Sequence, residues 1–379
     1  MQTRPKILVI GGGFGGLSAV RALRAAAADI LLIDRCNHHT FQPLLYQVAT
    51  AGLAAPSIAA PLRHILRSQR NVTVLLAEVL RIDLEGRSVE AGGVSYPYDF
   101  LIVATGSTHA YFGHEEWARC APGLKTLDDG LRIRARILTA FERAEATADP
   151  IEQKDWLTFL IIGAGATGVE LAGTLAEIAR HTLKREFRHI DPASARILLI
   201  EAGARVLPSF PASLSANAER QLERLGVSVR TGHAVTGIDE LGVCLGEERI
   251  SARTVLWAAG VAASPLGASL GVDLDRAGRV RVTAELAVPG IRRSSSLVIW
   301  RRYPAARCRR SRRPQSRWGS TRRRPFSRSA PAGRCARFAI GASALLPPSA
   351  AWGRSSTSAG FVSPGLLPGG SGSRLTFTF

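Results

Sequence analysis

Two glycine-rich turns, one near the start and one near the middle, constrain this chain more than any other feature. The stretch KILVIGGGFGGLSAVRALRAAAADILLID reads as one complete β-α-β unit. Ile7–Ile10 form a short apolar run suited to a buried parallel strand, Leu17–Ala27 are helix formers, and Ile30–Ile33 give a second strand. Between strand and helix, Gly11, Gly13 and Gly16 make a G-x-G-x-x-G turn, with Gly15 inside it. Such a turn lets the backbone approach a pyrophosphate and packs the helix on the strand, while the helix N-terminus offers free N–H groups to the anion. Asp34 ends the second strand 18 residues beyond Gly16, where a carboxylate can accept hydrogen bonds from a ribose diol. A glycine-rich turn alone could be purely structural. Strand, helix and terminal acid together point to a dinucleotide.

The unit recurs in WLTFLIIGAGATGVELAGTLAEIARHTL and ARILLIEAG. Gly163, Gly165 and Gly168 form the turn, Leu175–Thr182 lie along the following helix, and Glu201 ends the next strand. Gly11 and Gly163 stand 152 residues apart, too far for neighbouring units of a solenoid. Two cradles on one chain imply electron transfer between two carriers, the usual pair being a flavin and a nicotinamide.

Between the cradles lie a helix-like IAAPLRHIL, a series of short strands in NVTVLLAEVLRIDLEGRSVEAGGVSY, and YDFLIVATGS, a buried strand ending on Ala104, Thr105 and Gly106. RTVLWAAGV repeats the last design after the second cradle and closes on Gly260. The expected class is α/β, with two Rossmann-like dinucleotide-binding domains. This organisation resembles the two-dinucleotide-fold flavoproteins, in which a nicotinamide domain is inserted into a discontinuous flavin domain. On that resemblance, residues 1–123 are the first half of an FAD domain and 124–260 an inserted NADH domain. Residues 261–290 return to the FAD domain, and 291–379 are an aberrant, irregular tail.

No C-x-x-x-x-C occurs and Cys36 stands alone, which argues against a disulfide reductase. DRCNHHTFQPLLYQVATAGLAAPSIAAPLR, GAGATGVELAGTLAE and VLWAAGV, in that order, resemble the type II (non-proton-pumping) NADH:quinone dehydrogenases over about residues 6–290. The resemblance implies a flavin that takes a hydride from NADH and passes two electrons to a membrane quinone, with no metal. It assigns Gly11, Gly13, Gly15, Gly16 and Asp34 to FAD, with Thr105 and Gly106 at the flavin-proximal turn. It assigns Gly163, Gly165, Gly168, Glu201 and Gly260 to NADH, the acid favouring NAD over NADP because it repels a 2′-phosphate. QPLLYQ, Gln42–Gln47, matches the segment beside the flavin ring and quinone pocket, with Gln47 a candidate catalytic residue; alternatively Leu44, Leu45 and Tyr46 plug a core. Glu170 matches a glutamate between nicotinamide and flavin. Alternatively it is a first-turn acid complementing its helix N-terminus, a contribution of about 0.3–1 kcal/mol. His38 and His39 form a candidate proton-handling pair by residue type, but a loop-positioning role suits them at least as well.

Charge isolates the tail. The chain carries 49 Lys+Arg against 30 Asp+Glu, and 18 of the arginines lie after Gly290, where there is no Asp, Glu, Lys or His. Residues 1–290 are therefore nearly neutral, and the basic excess says nothing about their partners. Arg301–Arg324 could serve an arm for nucleic acid or an anionic membrane, but Arg without Lys suits a frame change better. Allowed codons for Gly290–Pro304, read from the last base of the Gly290 codon, give HPEVFVIGDLAAVP, the strand and Gly-Asp turn of the resembled family. In the same frame the terminal GGSGS and RLTFTF permit WWLWL and AHIYF, an aromatic membrane-interface run. The reading is a one-base loss near Gly290 and no specific nucleic-acid partner.

The five cysteines show no metal-ligand spacing. No apolar run reaches the roughly 18 residues of a spanning helix. RPKILVI follows the start without a basic-then-apolar leader, so the expectation is an unexported protein. The resemblance adds peripheral attachment at the cytoplasmic face of the cell membrane, through a segment missing here, and allows a homodimer. The expected activity is one impaired by the altered C-terminus; the alternative functions are a nucleotide-binding remnant without turnover and another FAD- and NAD(P)-dependent pyridine nucleotide oxidoreductase.

Overall fold

Consecutive apolar residues become strands covered on both faces. Thr158–Ile162 is buried at all five positions and Lys6–Ile10 at four of five, the pattern of a parallel strand between layers of helices. The structure, a computed structural model, describes residues 4–283, 286–289 and 297–299, all within one compact unit ending at Ala306.

Two parallel sheets share one strand order. In the first, Val72–Leu76, Asp29–Asp34, Lys6–Ile10 and Phe100–Val103 lie side by side. In the second, Val227–Thr231, Arg196–Glu201, Thr158–Ile162 and Thr254–Trp257 do the same. Each half also carries a three-stranded antiparallel meander, Val79–Asp83 to Val94–Pro97 in one and Gly237–Asp239 to Glu248–Ser251 in the other. The first sheet gains a fifth parallel strand, Leu297–Ile299, beside Leu101–Val103. Otherwise the tail, with Arg301–Arg324 and the terminal aromatic reading, lies outside the described residues. Between the halves, Ser107–His109 pairs antiparallel with Val261–Ala263 in a two-stranded ribbon.

The helix Leu127–Ala146 buries Ile133, Ile137, Ala140, Phe141 and Ala144, a stripe at helical spacing. It meets Phe159, Leu171 and Leu175 in the core of the second half, and Leu45 and Val48 enter that same core from the first-half chain. Each fully buried large aliphatic side chain contributes about 1.5–3 kcal/mol.

Three expectations shift locally. The first helix spans only Phe14–Ala22, because Gln69 donates to the Val20 carbonyl and Asn71 to those of Leu23 and Ala26, fixing a turn where the alanines could have continued the helix. In IAAPLRHIL, Pro61 disfavours helix before it. Ala59–Pro61 pairs instead with His38–Thr40, and the helix is Leu62–Leu66. The helix after the second cradle runs Ala166–Glu177 and then widens into a π-turn over Ile178–Thr182.

Candidate functional site

Both cradles rest on the same contacts. The Gly11 N–H donates to the Ile33 carbonyl at 2.8 Å, and the Gly163 N–H to the Ile200 carbonyl at 2.7 Å. Gly11 and Gly163 hold φ of +101° and +98°, with the closing turn of each half directly against them. A Cβ there would stand 2.4 Å from the Ala104 oxygen or 2.4 Å from Ala259 Cα. On Gly16 or Gly168 it would stand 1.7 or 1.8 Å from the carbonyl oxygen of Gly11 or Gly163. Gly15 is buried in the first helical turn.

Gly13 and Gly165 differ from their neighbours. A Cβ on either would meet no protein atom within 4 Å. They are the N-caps of Phe14–Ala22 and Ala166–Glu177, and neither helix has a side-chain cap or an acid in its first turn. The positive helix end and its uncapped N–H groups therefore border open space, which suits a pyrophosphate.

The strand-end acids bracket these turns. Asp34 Oδ2 accepts from the Gly12 N–H and Oδ1 from the Cys36 N–H at 2.6 Å. Glu201 Oε2 accepts from the Ala164 N–H at 2.7 Å and Oε1 from the Gly203 N–H at 2.8 Å. A carboxylate oxygen has a second lone pair, so each acid can brace its glycine turn and still accept from a diol. Burial, and then the Asp34 carboxylate, push the Cys36 thiol up and keep it protonated.

The closing turns meet the cradles through the Ala104 N–H, which donates to the Ile10 carbonyl at 2.7 Å, and the Ala258 N–H, which donates to the Ile162 carbonyl at 2.7 Å. Thr105 and Gly106 follow directly, Gly106 at φ +74°. Gly260 lies against Phe112, whose ring would stand 2.7 Å from an added Cβ, at the ribbon end of its turn.

QPLLYQ serves both readings made of it. Leu45, Val48 and Ala49 are buried in the second half's core, with Leu44 and Tyr46 packed against it. Gln47 stays half-buried, its amide donating to the Tyr46 hydroxyl at 3.0 Å. Its helix, Leu45–Ala49, touches Ala166–Glu177, the helix of Glu170.

Glu170 is the fifth residue of that helix, not a member of its first turn. The dipole-complementing alternative therefore lapses. Its carboxyl has no hydrogen-bond or ion-pair partner among the described residues, and burial pushes it up to about 7. A half-buried carboxyl that exchanges a proton near neutrality, on the helix leaving a nucleotide cradle, is equipped for proton handling.

Histidines 38 and 39 separate. Among the described residues the His38 imidazole has its hydrogen bond with the neighbouring Asn37 side chain, at 3.2 Å, whereas His39 Nδ1 lies 3.1 Å from the Gly12 carbonyl. Sequence reasoning overlooked the cluster at Thr126. Its T-x-x-D spacing is a legible capping signal, and Asp129 there also meets His109 of the ribbon at 3.4 Å. Among the described residues no group of three or more His, Cys, Asp or Glu could hold a metal ion, and no helix is long and apolar enough to cross a membrane.

With this geometry in view, comparison with known proteins decides the family: the pyridine nucleotide-disulphide oxidoreductase profile matches residues 5–291. The chain belongs to that family. As a pyridine nucleotide-disulphide oxidoreductase it is 49% identical over 300 residues to the type II NADH:quinone oxidoreductase Ndh of Mycobacterium tuberculosis, covering 76% of this chain and 65% of that protein. It is 47% identical over 301 residues to NdhA of the same organism, covering 76% and 64%. The chain thus spans just under two thirds of the length of these relatives. In fold it is similar to NDH2 of Plasmodium falciparum in complex with NADH, at a TM-score of 0.72 and 24% identity, over 78% of this chain and 63% of that one. Despite the family name, the three cysteines among the described residues, Cys36, Cys120 and Cys244, are all free.

Proposed function

We propose that this family member is an FAD-dependent NADH:quinone oxidoreductase. The first cradle, Gly11, Gly13, Gly15, Gly16 and Asp34 with Thr105 and Gly106, would hold FAD. The second, Gly163, Gly165, Gly168 and Glu201 with Gly260, would hold NADH as substrate. One observation carries the reading: two cradles of matching build sit in one compact unit, their closing turns continuing into the two strands of a single ribbon, Ser107–His109 and Val261–Ala263. The names of the relatives support the choice of quinone as acceptor.

Bound FAD would supply hydride acceptance and onward two-electron transfer. The chain's own residues bind, orient and handle the proton. Glu201, beside the second cradle's ribose position, disfavours a 2′-phosphate. Glu170 would hold a proton beside the nicotinamide, and Gln47 would stand beside the flavin and quinone. The contact between their two helices supports that pairing. Residues 1–123 and 261–290 would form the flavin domain around an inserted nicotinamide domain, 124–260. Work on a membrane quinone would put the protein at the inner face of the cell membrane as a peripheral protein.

The test is anaerobic mixing of the FAD-reconstituted full chain with NADH, then with a short-chain quinone. NADH should bleach the flavin absorbance and the quinone should restore it. Calorimetry should give tighter binding of NADH than NADPH by about tenfold, and Glu201→Gln should narrow that gap. Flavin that NADH does not reduce, or tighter NADPH binding, sinks the proposal. A remnant that binds NADH without turnover is the second reading: the first sheet, unlike the second, depends on a strand from beyond Gly290, where the sequence loses its acids. Stoichiometric flavin uptake would exclude it.

A further inference from the structure

The two cradles share the hydrogen bonds given above at the first glycine, the closing turn and the bracketing acid, and they part at the carbonyl directly after the first glycine. In the second cradle the Ala164 carbonyl accepts from the Leu207 N–H at 2.8 Å, a backbone donor. In the first, the corresponding Gly12 carbonyl faces His39 Nδ1 at 3.1 Å. A carbonyl oxygen only accepts, so Nδ1 must carry the hydrogen. One tautomer of one side chain does in the first cradle what the main chain does in the second.

His39 is held for this task from several sides. Its backbone pairs opposite Ala60, in the ladder Ala59–Pro61 with His38–Thr40. Phe14, the first residue of the cradle helix, meets the imidazole edge-on with ring centroids 4.9 Å apart and planes at 88°, and Phe41 meets Phe14 in turn at 5.7 Å. Phe41, the residue after the ladder strand His38–Thr40, donates its N–H to the Ile58 carbonyl at 2.7 Å. The peptide that His39 grips is the one joining Gly12 to Gly13. In a trans peptide C=O and N–H point in opposite directions, so fixing the Gly12 carbonyl toward His39 turns the Gly13 N–H away from it. Gly13 is the uncapped helix N-cap whose Cβ position is open. The neighbouring Gly12 N–H is already committed to Asp34.

We infer that His39 is a positioning residue of the first cradle: its Nδ1–H holds the Gly12–Gly13 peptide in the orientation that presents the Gly13 N–H to a dinucleotide pyrophosphate. The inference rests on the reading of that cradle as the FAD site, and it accounts for the difference between His39 and the adjacent His38.

The test uses apoprotein of the full chain and three variants of one position, His39 itself, His39→Phe and His39→Asn, titrated with FAD and separately with NADH. Phe keeps the ring packed against Phe14 but has no donor, whereas the Asn amide restores one near the Nδ1 position. His39→Phe should weaken FAD binding about fivefold, the size of one neutral hydrogen bond, and His39→Asn should return it to within about twofold. NADH affinity should stay unchanged in both, since a backbone amide serves the second cradle. Equal FAD affinity for His39→Phe and the unaltered chain overturns the inference. So does failure of Asn to rescue, or a parallel loss of NADH binding. Long-range ¹⁵N spectra of the histidine-labelled apoprotein, with His39→Asn to assign the signal, should show the Nδ1–H tautomer. The Nε2–H tautomer would overturn the inference independently of any flavin. Should the unaltered chain bind NADH but no FAD, the flavin reading of the cradle fails, and the tautomer alone then decides whether His39 holds the Gly12 peptide.

Discussion

The two halves share strand order, turns and carboxylate brackets, yet they close differently. Every strand of the second sheet comes from one stretch, Thr158–Trp257. The first sheet takes strands from Lys6–Ile10 through Phe100–Val103 and then a fifth from Leu297–Ile299, beyond the inserted half. Both sheets contain a pairing that spans more than 90 residues, Ile7 with Phe100 and Phe159 with Thr254, but only the first also draws a strand from beyond Gly290, and each such closure costs loop entropy. A change after Gly290 therefore bears first on the first half.

The largest effect should come from filling the close approach in one cradle at a time. Gly168→Ala puts a methyl 1.8 Å from the Gly163 oxygen, and Gly16→Ala puts one 1.7 Å from the Gly11 oxygen. Neither backbone oxygen can retreat without opening the turn. Each change should weaken its own nucleotide by about 100-fold, near 3 kcal/mol, and leave the other close to its starting affinity. Calorimetric titration of NADH and FAD against both variants reads the comparison directly. Equal losses of both nucleotides in each variant would mean that the halves do not fold or bind separately.

A smaller effect should follow at Glu170, whose helix, Ala166–Glu177, belongs to the second half and touches the Leu45–Ala49 helix. Burial raises its carboxyl from the ordinary 4.5 to about 7. The folded chain then holds this proton more tightly than the unfolded chain does, so stability declines as pH rises from about 4.5 through 7 and levels off above. Glu170→Gln removes that decline. Thermal unfolding at pH 8 should show a gain on the order of 1–2 kcal/mol, discounted for partial exposure, with little difference near pH 4. Under the proposed role, flavin reduction should nonetheless slow by at least about tenfold. A stopped-flow trace at the unaltered rate would leave Glu170 a buried acid with no part in the chemistry.

Features set by short-range spacing were legible from the amino-acid string. Gly11, Gly13 and Gly16 lie within six positions of one another, and the strand ending at Asp34 follows one helix later. The same local grammar exposed Gly163, Gly165, Gly168 and Glu201. What escaped depends on residues far apart. The ribbon pairs His109 with Val261, and neither strand has a pattern that announces its partner. His39 reaches back 27 residues to a carbonyl, and no side-chain periodicity records where a carbonyl points. Leu45 looked equally suited to a pocket or a core, and only packing against Leu127–Ala146 shows that it fills the core of the other half. Glu170 was misplaced by one turn for a simpler reason. The helix begins at Ala166, just after its N-cap Gly165, not at the last glycine of the motif.

The smallest predicted effect contrasts a helix that satisfies its own N-terminus with the two that do not. Leu127–Ala146 starts in a full capping box: the Asp129 N–H donates to Thr126 Oγ1 at 3.1 Å, and Asp129 Oδ2 accepts from the Thr126 N–H at 2.8 Å and the Lys125 N–H at 3.1 Å. Burial alone would raise this carboxyl. The hydrogen bonds from His109, Thr126 and Lys125 outweigh it and bring the group to about 2, below the ordinary 3.8. A depressed carboxyl stabilises the fold at pH values above its unfolded pKa, and that contribution fades as pH falls from about 4 toward 2. Asp129→Asn should therefore cost about 1–2 kcal/mol at pH 7, the range of a lost cap, with the difference from the unaltered chain shrinking toward pH 2. Binding at the two open N-termini should not change, because neither Gly13 nor Gly165 uses this cap. Denaturant unfolding at pH 7 and pH 3, with an NADH titration alongside, measures both. A cost that is the same at the two pH values would show that Asp129 acts through packing and not through its charge. A loss of NADH affinity would show instead that the His109 contact couples the ribbon to the second cradle.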